Sequence, residues 1–543
     1  MFVAIAAMGE VVVEEAGPLG SRTVRDVVER IGDVEGIADS VEALYRMEGY
    51  LYAEVAANTD TVDGVVTTTI RIDAGSMASV ERYSVEGFPG AMPELSLKVG
   101  KTFREAALAW DMESLVEDLE DRGFPFASAE IESFLIDVEA RVRVSIAVNP
   151  RDSVEIGALI LPNKIDTKGY VVERTMLLHF PELYSQGRIE KGIERLDDLS
   201  YLSVFGKPDI VLDESGVWAL RMDVVEGRTI LIDGVLGYAP KGSGKGELSG
   251  QLDAVFANLW GTGRNLSFHW IQSSNEYLRV QTAFTEPWLF SGPGAMTVDG
   301  EYYRRDSIFT ENSFSIKYSW PVSFVTDISV GGGYRGVMPD SAGQVSSGIA
   351  NSKEFNLDFG CSIGRLKPRV NPKGGFDLSI VVSPSYIERR GPEDLFESIE
   401  RFEAMARIEG DAEAAQSIGR NSVAFLGLHG RSALSGGPLP ISDGYYMGGW
   451  GSVRGFREEQ FFAENLGWGN FEWRLLLGGD AHGFAFIDGG LTRPSGGEYD
   501  LHYGYGIGAR ISTAIGWWSV SYGVAGGESI TGGMIHVGLK TEL

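Results

Sequence analysis

Two patterns of hydrophobic and polar positions follow one another along the chain. Residues 9–229 mix strand-like segments with helical spacing, since Leu115 and Leu119 lie four residues apart, as do Ile189 and Ile193. Such spacing places apolar side chains on one face of a helix. The rest of the chain alternates polar and apolar residues, which indicates strands with one apolar and one polar face.

The first half contains one pattern three times: a β-rich opening segment, an amphipathic helix, an aromatic-bearing turn and a closing strand. The openers and closers are Val11–Glu14 with Thr69–Ile72, Val80–Gly87 with Arg141–Ile146, and Val154–Ile160 with Leu220–Gly227. Gly49 and Gly123 fit helix C-caps, where a left-handed backbone is needed. In the third copy we expect the second helix to end within 199–205.

From residue 230 onward the alternation predicts strands only. The alternating segments are 265–271, 313–320, 327–330, 354–359, 377–382 and 503–510. A soluble sandwich and a membrane barrel both predict this pattern. The absence of a convincing long helix, aromatics near strand ends, and small or charged inward positions favour the barrel. The charged, helix-like segment Pro392–Gln416 is interpreted as a long extracellular loop with a short helix.

Composition and charge exclude several classes of protein. A chain of 543 residues is too long for one ordinary domain. The net charge of -29 argues against a nucleic-acid binder, which neutralises phosphates with Lys and Arg. A single cysteine, Cys361, excludes an internal disulfide and a cysteine metal cluster. No apolar run approaches the ~20 residues of a transmembrane helix.

Catalytic motifs are also missing from the sequence. It contains no Gly-x-Ser-x-Gly elbow, phosphate loop or His-Glu-x-x-His segment, and its histidines do not cluster at metal-ligand spacing. We therefore expect no enzyme activity, no cofactor and no metal site.

The N-terminus has two interpretations. Residues 1–8 are apolar with small side chains but lack a basic region and are short for a signal peptide. They are interpreted as the remnant of an export signal, and the alternative is an ordinary buried N-terminal strand.

One glycine-rich segment carries the most specific resemblance. Gly448–Phe456 resembles the loop-six motif of the BamA/TamA superfamily of outer-membrane assembly and translocation proteins. In that family the loop folds into the barrel lumen, and its Arg meets acids on the inner wall. An Arg fork suits this role because it binds carboxylates through two hydrogen bonds and stays charged. The motif residues are Gly449, Val453, Arg454, Gly455 and Phe456.

Two acids on the following predicted strands are candidate partners for Arg454. In 470–477 an apolar stripe would face outward, which sends Glu472 inward beside the loop. Residues 484–490 resemble the family's Phe-x-Asp-x-Gly strand, so the resemblance makes Asp488 the second partner. Asp488 shares its parity with two phenylalanines, which would then also point inward. The alternative for both acids is general lumen polarity.

Further segments extend the resemblance over nearly the whole chain. The repeated unit, with strand–helix–helix–strand–strand order, resembles the polypeptide-transport-associated (POTRA) domain, and Thr285–Phe290 resembles an early barrel turn of the same family. At the C-terminus, 534–543 resembles a closing barrel strand that serves as an assembly signal. It departs from the family in ending on Leu543 rather than an aromatic. We expect a seam between a strand near 234–238 and this strand, weakened by glycines that include Gly538.

The implied fold is α+β tandem repeats followed by an all-β transmembrane barrel of about sixteen antiparallel strands. The expected domains are the export-signal remnant at 1–8, three POTRA-like domains at 9–77, 78–152 and 153–229, and a barrel at 230–543 with a tucked loop around 440–460.

The resemblance implies assembly, insertion or translocation of client proteins at the bacterial outer membrane, with the N-terminal domains in the periplasm. The expected partners are unfolded outer-membrane or autotransporter-like clients, outer-membrane lipid, and an inner-membrane-anchored TamB-like protein or assembly lipoproteins, with no nucleic acid. Three repeats favour a TamA-like arrangement. The alternatives are a two-partner-secretion export pore and, from a different class, a passive porin, which lacks both repeats and Arg loop.

Overall fold

The computed structural model combines α+β repeats with one large antiparallel sheet. It describes residues 11–15, 17–31, 36–62, 65–162, 164–239, 247–272, 277–289, 292–305, 308–367, 371–397, 399–478, 481–494, 497–513 and 516–541. The segment 1–8, Phe290 and Leu543 therefore lie outside the described residues. Among the helices of the described part, none has the length and apolar character needed to cross a membrane.

Strands and helices alternate in the N-terminal part. In chain order they are β1 (Val11–Glu15), α1 (Ser21–Ile31), α2 (Ile37–Met47), β2 (Glu54–Val62), β3 (Val65–Asp73), β4 (Ser79–Glu86), α3 (Glu105–Asp121), β5 (Ser128–Ile136), β6 (Arg141–Asn149), β7 (Glu155–Ile156), β8 (Ala158–Ile160), α4 (Gly169–Thr175), β9 (Glu182–Leu183), α5 (Gln186–Asp197), β10 (Leu202–Leu212) and β11 (Trp218–Glu226).

The C-terminal part consists almost entirely of strands. They are β12 (Ile230–Ala239), β13 (Glu247–Leu259), β14 (Arg264–Gln272), β15 (Tyr277–Pro287), β16 (Ala295–Arg305), β17 (Phe309–Ser323), β18 (Thr326–Pro339), β19 (Asn351–Lys367), β20 (Gly374–Arg390), β21 (Phe402–Ser417), β22 (Ser422–Leu434), β23 (Tyr445–Met447), β24 (Phe461–Ala463), β25 (Asn465–Gly478), β26 (Ala481–Arg493), β27 (Asp500–Thr513), β28 (Gly516–Ala525) and β29 (Met534–Thr541), with the short helix α6 (Ser341–Ser347) before β19.

Three short sheets share one strand order, which confirms the predicted tandem α+β fold. The orders are β1-β3-β2, β4-β6-β5 and β8-β11-β10, so each closing strand lies at the centre. In the first two sheets the opening strand runs parallel to the closing strand, and the middle strand runs antiparallel to it. The helices cover these sheets with apolar faces, as α3 does with Leu115 and Leu119, both fully buried.

The second repeat has one helix where the sequence predicts two. Residues 87–104 between β4 and α3 form no helix, since Pro89, Pro93 and several glycines interrupt the segment. Asp111 of α3 holds this segment instead, because its carboxylate accepts hydrogen bonds from the amides of Ser96 and Leu97 at 2.5 and 3.0 Å.

The third repeat departs from its prediction at the end of the second helix. We expected the helix to end within 199–205, but α5 ends at Asp197 and Ser203–Phe205 belong to β10. Val204 and Phe205 have high strand propensity, which explains the earlier helix end.

The described residues form two compact units. The first takes in described residues up to Ala158 together with 180–190 and 212–219, and the second takes in the remainder of the third repeat and the large sheet. The boundaries drawn at 77, 152 and 229 stay predictions.

The large sheet has sixteen strands in sequence order from β12 to β29, with the two-stranded β23–β24 hairpin apart from it. Its ladders are antiparallel throughout. This confirms the predicted barrel of sixteen antiparallel strands. Alternation shows on β25, where Trp473 and Leu475 are 59% and 51% exposed and Arg474 between them is 1% exposed.

The expectation of a long loop with a short helix at Pro392–Gln416 is wrong for most of its length. A 3-10 turn covers Glu393–Glu397, but Phe402–Ser417 form strand β21, paired with β20 and β22. Charged residues and small apolar residues alternate here, and the alanines of the outward face supply too little hydrophobic signal to reveal a strand.

Candidate functional site

The segment between β22 and β25 folds back into the interior of the barrel. Residues 435–464 connect these strands, and within them Val453 and Arg454 are 0% and 2% exposed. Asn470 of β25 donates from Nδ2 to the carbonyl oxygen of Ser452 at 2.6 Å. This segment is called the tucked loop below.

Arg454 lies between the two acids that the sequence named as candidates. Its Nε and Nη2 donate to Oδ2 and Oδ1 of Asp488 at 2.7 and 2.8 Å, and Nη1 donates to Oε1 of Glu472 at 2.8 Å. The Arg454 amide also donates to Oδ2 of Asp488 at 3.0 Å. This is the bidentate fork-to-carboxylate geometry that only arginine provides.

Strand alternation places both acids on the inner wall. Glu472 lies on β25 and Asp488 on the adjacent β26, where Asp488 pairs with Asn470 across the ladder. The acids are 2% and 0% exposed, while Phe471 on the outer face is 44% exposed. The two strands thus bring the carboxylates together around one guanidinium group.

Aromatic rings cover the other side of the guanidinium group. Cζ of Arg454 lies 3.7 Å from the ring centroid of Phe486 and 5.5 Å from that of Phe484. Both rings face inward with Asp488, and their negative faces add cation–π attraction to the ion pairs. A buried charge is tolerated here because every side of it has a polar or π partner.

Glu472 binds three arginines. Besides Arg454, it accepts hydrogen bonds from Nε of Arg474 at 2.9 Å and from Nη1 and Nη2 of Arg510 at 3.0 and 2.7 Å. The clamp on the loop is therefore one part of a larger charged network on β25, β26 and β27.

Glycines on the wall let the loop backbone approach it closely. A β-carbon at Gly504 would overlap the carbonyl oxygen of Arg454, and one at Gly523 would lie 2.7 Å from the amide nitrogen of Gly455. The motif's own Gly455 has φ +98, a conformation that favours glycine.

Asp443 forms a second anchor of the tucked loop, with the charges reversed. It is 2% exposed and accepts from Nη2 of Arg389 at 2.8 Å and from Nη1 of Arg335 at 3.2 Å. Arg335 also donates to the carbonyl oxygen of Ser442, and Arg389 to Oε2 of Glu403 at 2.7 Å. Here the loop supplies the carboxylate and the barrel wall supplies the guanidinium cations.

Glu459 forms a third anchor, on the opposite side of the motif from Asp443 in the sequence. Its Oε2 accepts from Nη1 of Arg305 at 2.5 Å and from the hydroxyl of Tyr303 at 3.0 Å. Nη2 of Arg279 lies 3.8 Å from its Oε1. The three anchors connect the loop to strands from β15 to β26.

Sequence reasoning did not identify Asp443 or Glu459. Acids in a loop have no periodic pattern that marks them as buried, so they are typical of solvated loop residues. The barrel wall did contain a signal for buried loop acids. Alternation on their strands directs Arg335 and Arg389 into the barrel, where each needs an anionic partner.

The remaining motif residues shape the loop. Gly449 has φ +92 and donates its amide to the carbonyl oxygen of Val453 at 3.1 Å. The ring of Phe456 packs edge-on against Phe461 with centroids 5.0 Å apart. Gly538 is buried on β29, and Leu543 lies outside the described residues.

The first and last strands of the sheet do not pair as the sequence predicted. Among the described residues, β12 has a ladder with β13 and β29 has a ladder with β28, and no ladder joins β12 to β29. A side-chain hydrogen bond joins β12 to β28 instead, where Nε1 of Trp518 donates to Oδ2 of Asp233 at 3.1 Å.

Comparisons with known proteins agree with this architecture. The pattern of the Omp85 superfamily domain matches residues 258–532, more than half of the chain. CdiB from Escherichia coli is similar in fold, with a TM-score of 0.51 and 14% identity over 96% of each chain. BamA from Haemophilus ducreyi lacking POTRA domains 1–3 has a TM-score of 0.47 and 16% identity over 81% of this chain and 94% of that chain. A search of curated proteins gave no match.

The POTRA-like repeats, the sixteen-stranded barrel and the family match point to one conclusion. Proteins of this family insert client proteins into the outer membrane or translocate them across it. The chain belongs to the Omp85 superfamily and is an outer-membrane β-barrel protein that handles client proteins.

Proposed function

We propose that this protein inserts client β-strands into the outer membrane by opening laterally between β12 and β29, without nucleotide or covalent catalysis. The observation that carries the proposal is the seam, which has no backbone ladder among the described residues. A strand edge that has no ladder partner can template an incoming strand through its N–H and C=O groups.

The soluble repeats supply a first contact for the client. In the second repeat β5 is an edge strand, and its apolar residues Ile131, Phe134 and Leu135 are 46%, 40% and 60% exposed. An extended client segment can add to this edge by β-augmentation. This role requires the repeats to lie in the periplasm, which is part of the proposal.

An export pore of the two-partner-secretion type is the second candidate, and the likeness in fold to CdiB from Escherichia coli favours it. Passage through the lumen would require the tucked loop to leave its anchors at Asp443, Arg454 and Glu459. Lateral opening leaves those buried ion pairs intact, and for this reason we prefer it. Three repeats favour a TamA-like role with a TamB-like partner or assembly lipoproteins.

Depletion of the protein followed by a quantitative census of outer-membrane and secreted proteins tests the role. Loss of a few autotransporter-like proteins is the outcome we expect. General loss of barrel proteins would instead indicate a BamA-like role, and loss of one secreted protein would indicate an export pore. An unchanged census would contradict the proposed function.

A further inference from the structure

The lumen-facing side of the last strand contacts the tucked loop. On β29, Ile535 and Val537 face outward and are 73% and 59% exposed, while His536 between them is 7% exposed. The outward residues fit a lipid-facing strand. The inward residues, His536 and Gly538, are both buried, so something in the lumen must cover them.

A hydrogen bond from the Arg454 motif reaches His536. The amide of Gly455 donates to Nε2 of His536 at 3.0 Å, and both residues are buried. An imidazole nitrogen that accepts a hydrogen bond carries no proton, so this contact requires the neutral ring with its proton on Nδ1. The next residue in the loop after Arg454 is thus bonded directly to the last strand.

The second contact is steric. The indole ring of Trp450 lies against Gly538 so closely that a β-carbon at that position would overlap ring atoms. Glycine in a strand interior often marks a close approach of another group. The close contact with Trp450 therefore explains why residue 538 is a glycine, since any larger residue would push the loop away from β29.

These contacts connect the seam to the Arg454 clamp over a short stretch of loop. Residues 450–455 contact β29 through Trp450 and Gly455, and β25 and β26 through Arg454. Because β29 has a ladder only with β28 among the described residues, the loop supplies a second set of contacts to this strand.

We propose that the tucked loop holds β29 in place through His536 and Gly538, so that the loop sets whether the seam is closed or open. The inference deepens the proposed function and rests on its lateral seam. His536 is then a positioning residue: it contacts no client and acts through the strand that carries it. Loss of either contact should free β29 to move relative to β12.

Spin-label distance measurements on the purified full-length protein in lipid nanodiscs test this directly. Cysteines replace Ile232 of β12 and Ile535 of β29, which are both exposed on the outer face, in a Cys361→Ser background. The distance between spin labels on these cysteines reports the width of the seam. We expect His536→Leu and Gly538→Ala to lengthen and broaden the distance distribution. The control Val537→Ala, on the outer face of the same strand, should leave it unchanged.

Two further variants separate positioning from loss of folding. His536→Gln keeps a side-chain acceptor, so its distance distribution should return to that of the parent protein. Gly538→Ala made in a Trp450→Ala background should add no further broadening, since the ring that it displaces is already absent. Distributions for His536→Leu and Gly538→Ala that superimpose on the Val537→Ala control would overturn the inference.

This test is independent of the proposed function because no client is present. If the seam distance changes but client insertion does not, the loop holds β29 as inferred, and lateral insertion is refuted. If the seam distance stays unchanged in the variants, the proposed hold of the loop on β29 is refuted, whatever the client assay shows.

Discussion

Arg454 is the residue on which the lumen site depends. Its guanidinium group uses three nitrogens on two carboxylates and one face on an aromatic ring. A lysine could supply the charge but not this planar set of donors. These contacts brace the loop against β25 and β26.

Arg454→Ala should therefore damage barrel stability and client assembly together. Removing one partner of a buried pair costs about 3–5 kcal/mol, because Asp488 is left without its cation. Arg454→Lys should fall between the mutant and the parent protein. Both are measured by urea unfolding in detergent and by client insertion in cells.

Arg390→Ala is the matched control, since Arg390 is exposed and its ion pair with Glu388 is on the surface. It should cost less than about 1 kcal/mol. Normal stability and normal client assembly in Arg454→Ala would reduce the motif to a marker of the family.

Asp443→Asn should loosen the first part of the tucked loop without disturbing the Arg454 clamp. The substitution leaves Arg335 and Arg389 without one of their carboxylates, at a cost of about 2–5 kcal/mol. The measurement is limited proteolysis of the loop at 435–447 in intact protein, where cleavage should become faster. Cleavage as slow as in the parent protein would show that the remaining acids suffice, which are Glu311 and Glu354 beside Arg335 and Glu403 beside Arg389.

At the residue scale, strand alternation and one motif together indicate the Arg454 site. Alternation predicts that Glu472 faces inward, and the structure places it there. The anchors at Asp443 and Glu459 could not be predicted, because burial of a loop residue depends on where the loop lies in three dimensions. The close approach of the loop to Gly504 and Gly523 could not be predicted either, because a glycine in a strand does not indicate which group packs against it.

Elements with strong periodicity were predicted well and those without it were not. Most barrel strands alternate large apolar with polar residues, which fixes both their type and their facing. Strand β21 carries alanines and glycine on its outer face, so its charged inner face resembled a solvated helix. The two-helix expectation failed in the second repeat because prolines and glycines occupy the segment before α3.

The second repeat offers a test of this local explanation. Asp111 is fully buried and accepts hydrogen bonds from Ser96, Leu97 and the hydroxyl of Tyr83, the last at 2.9 Å. Asp111→Ala should leave these donors unsatisfied and destabilise the segment by roughly 2–3 kcal/mol. Hydrogen exchange of the amides at 94–101 in the full-length protein should become faster.

Glu113→Ala provides the control, because Glu113 lies exposed on the same helix. It should leave hydrogen exchange at 94–101 unchanged. If Asp111→Ala also leaves exchange there unchanged, the side chain does not hold the segment.

At the scale of the whole molecule, the sequence indicated a repeat region followed by a barrel, and the structure and family match bear this out. The seam itself was predicted, but whether its two strands pair could not be, because that pairing depends on contacts almost 300 residues apart in sequence. Local alternation on each strand is the same whether the barrel is closed or open.

The central claim is that clients enter the membrane through this seam. A reversible disulfide cross-link between its two strands gives the most direct test. Full-length protein with Val235→Cys and Val537→Cys in a Cys361→Ser background is placed in proteoliposomes without nucleotide. Insertion of a urea-unfolded autotransporter-like barrel is then measured before and after oxidation, with each single-cysteine protein as control. We predict that complete cross-linking abolishes insertion and that reduction restores it. Full cross-linking with undiminished insertion would contradict lateral opening.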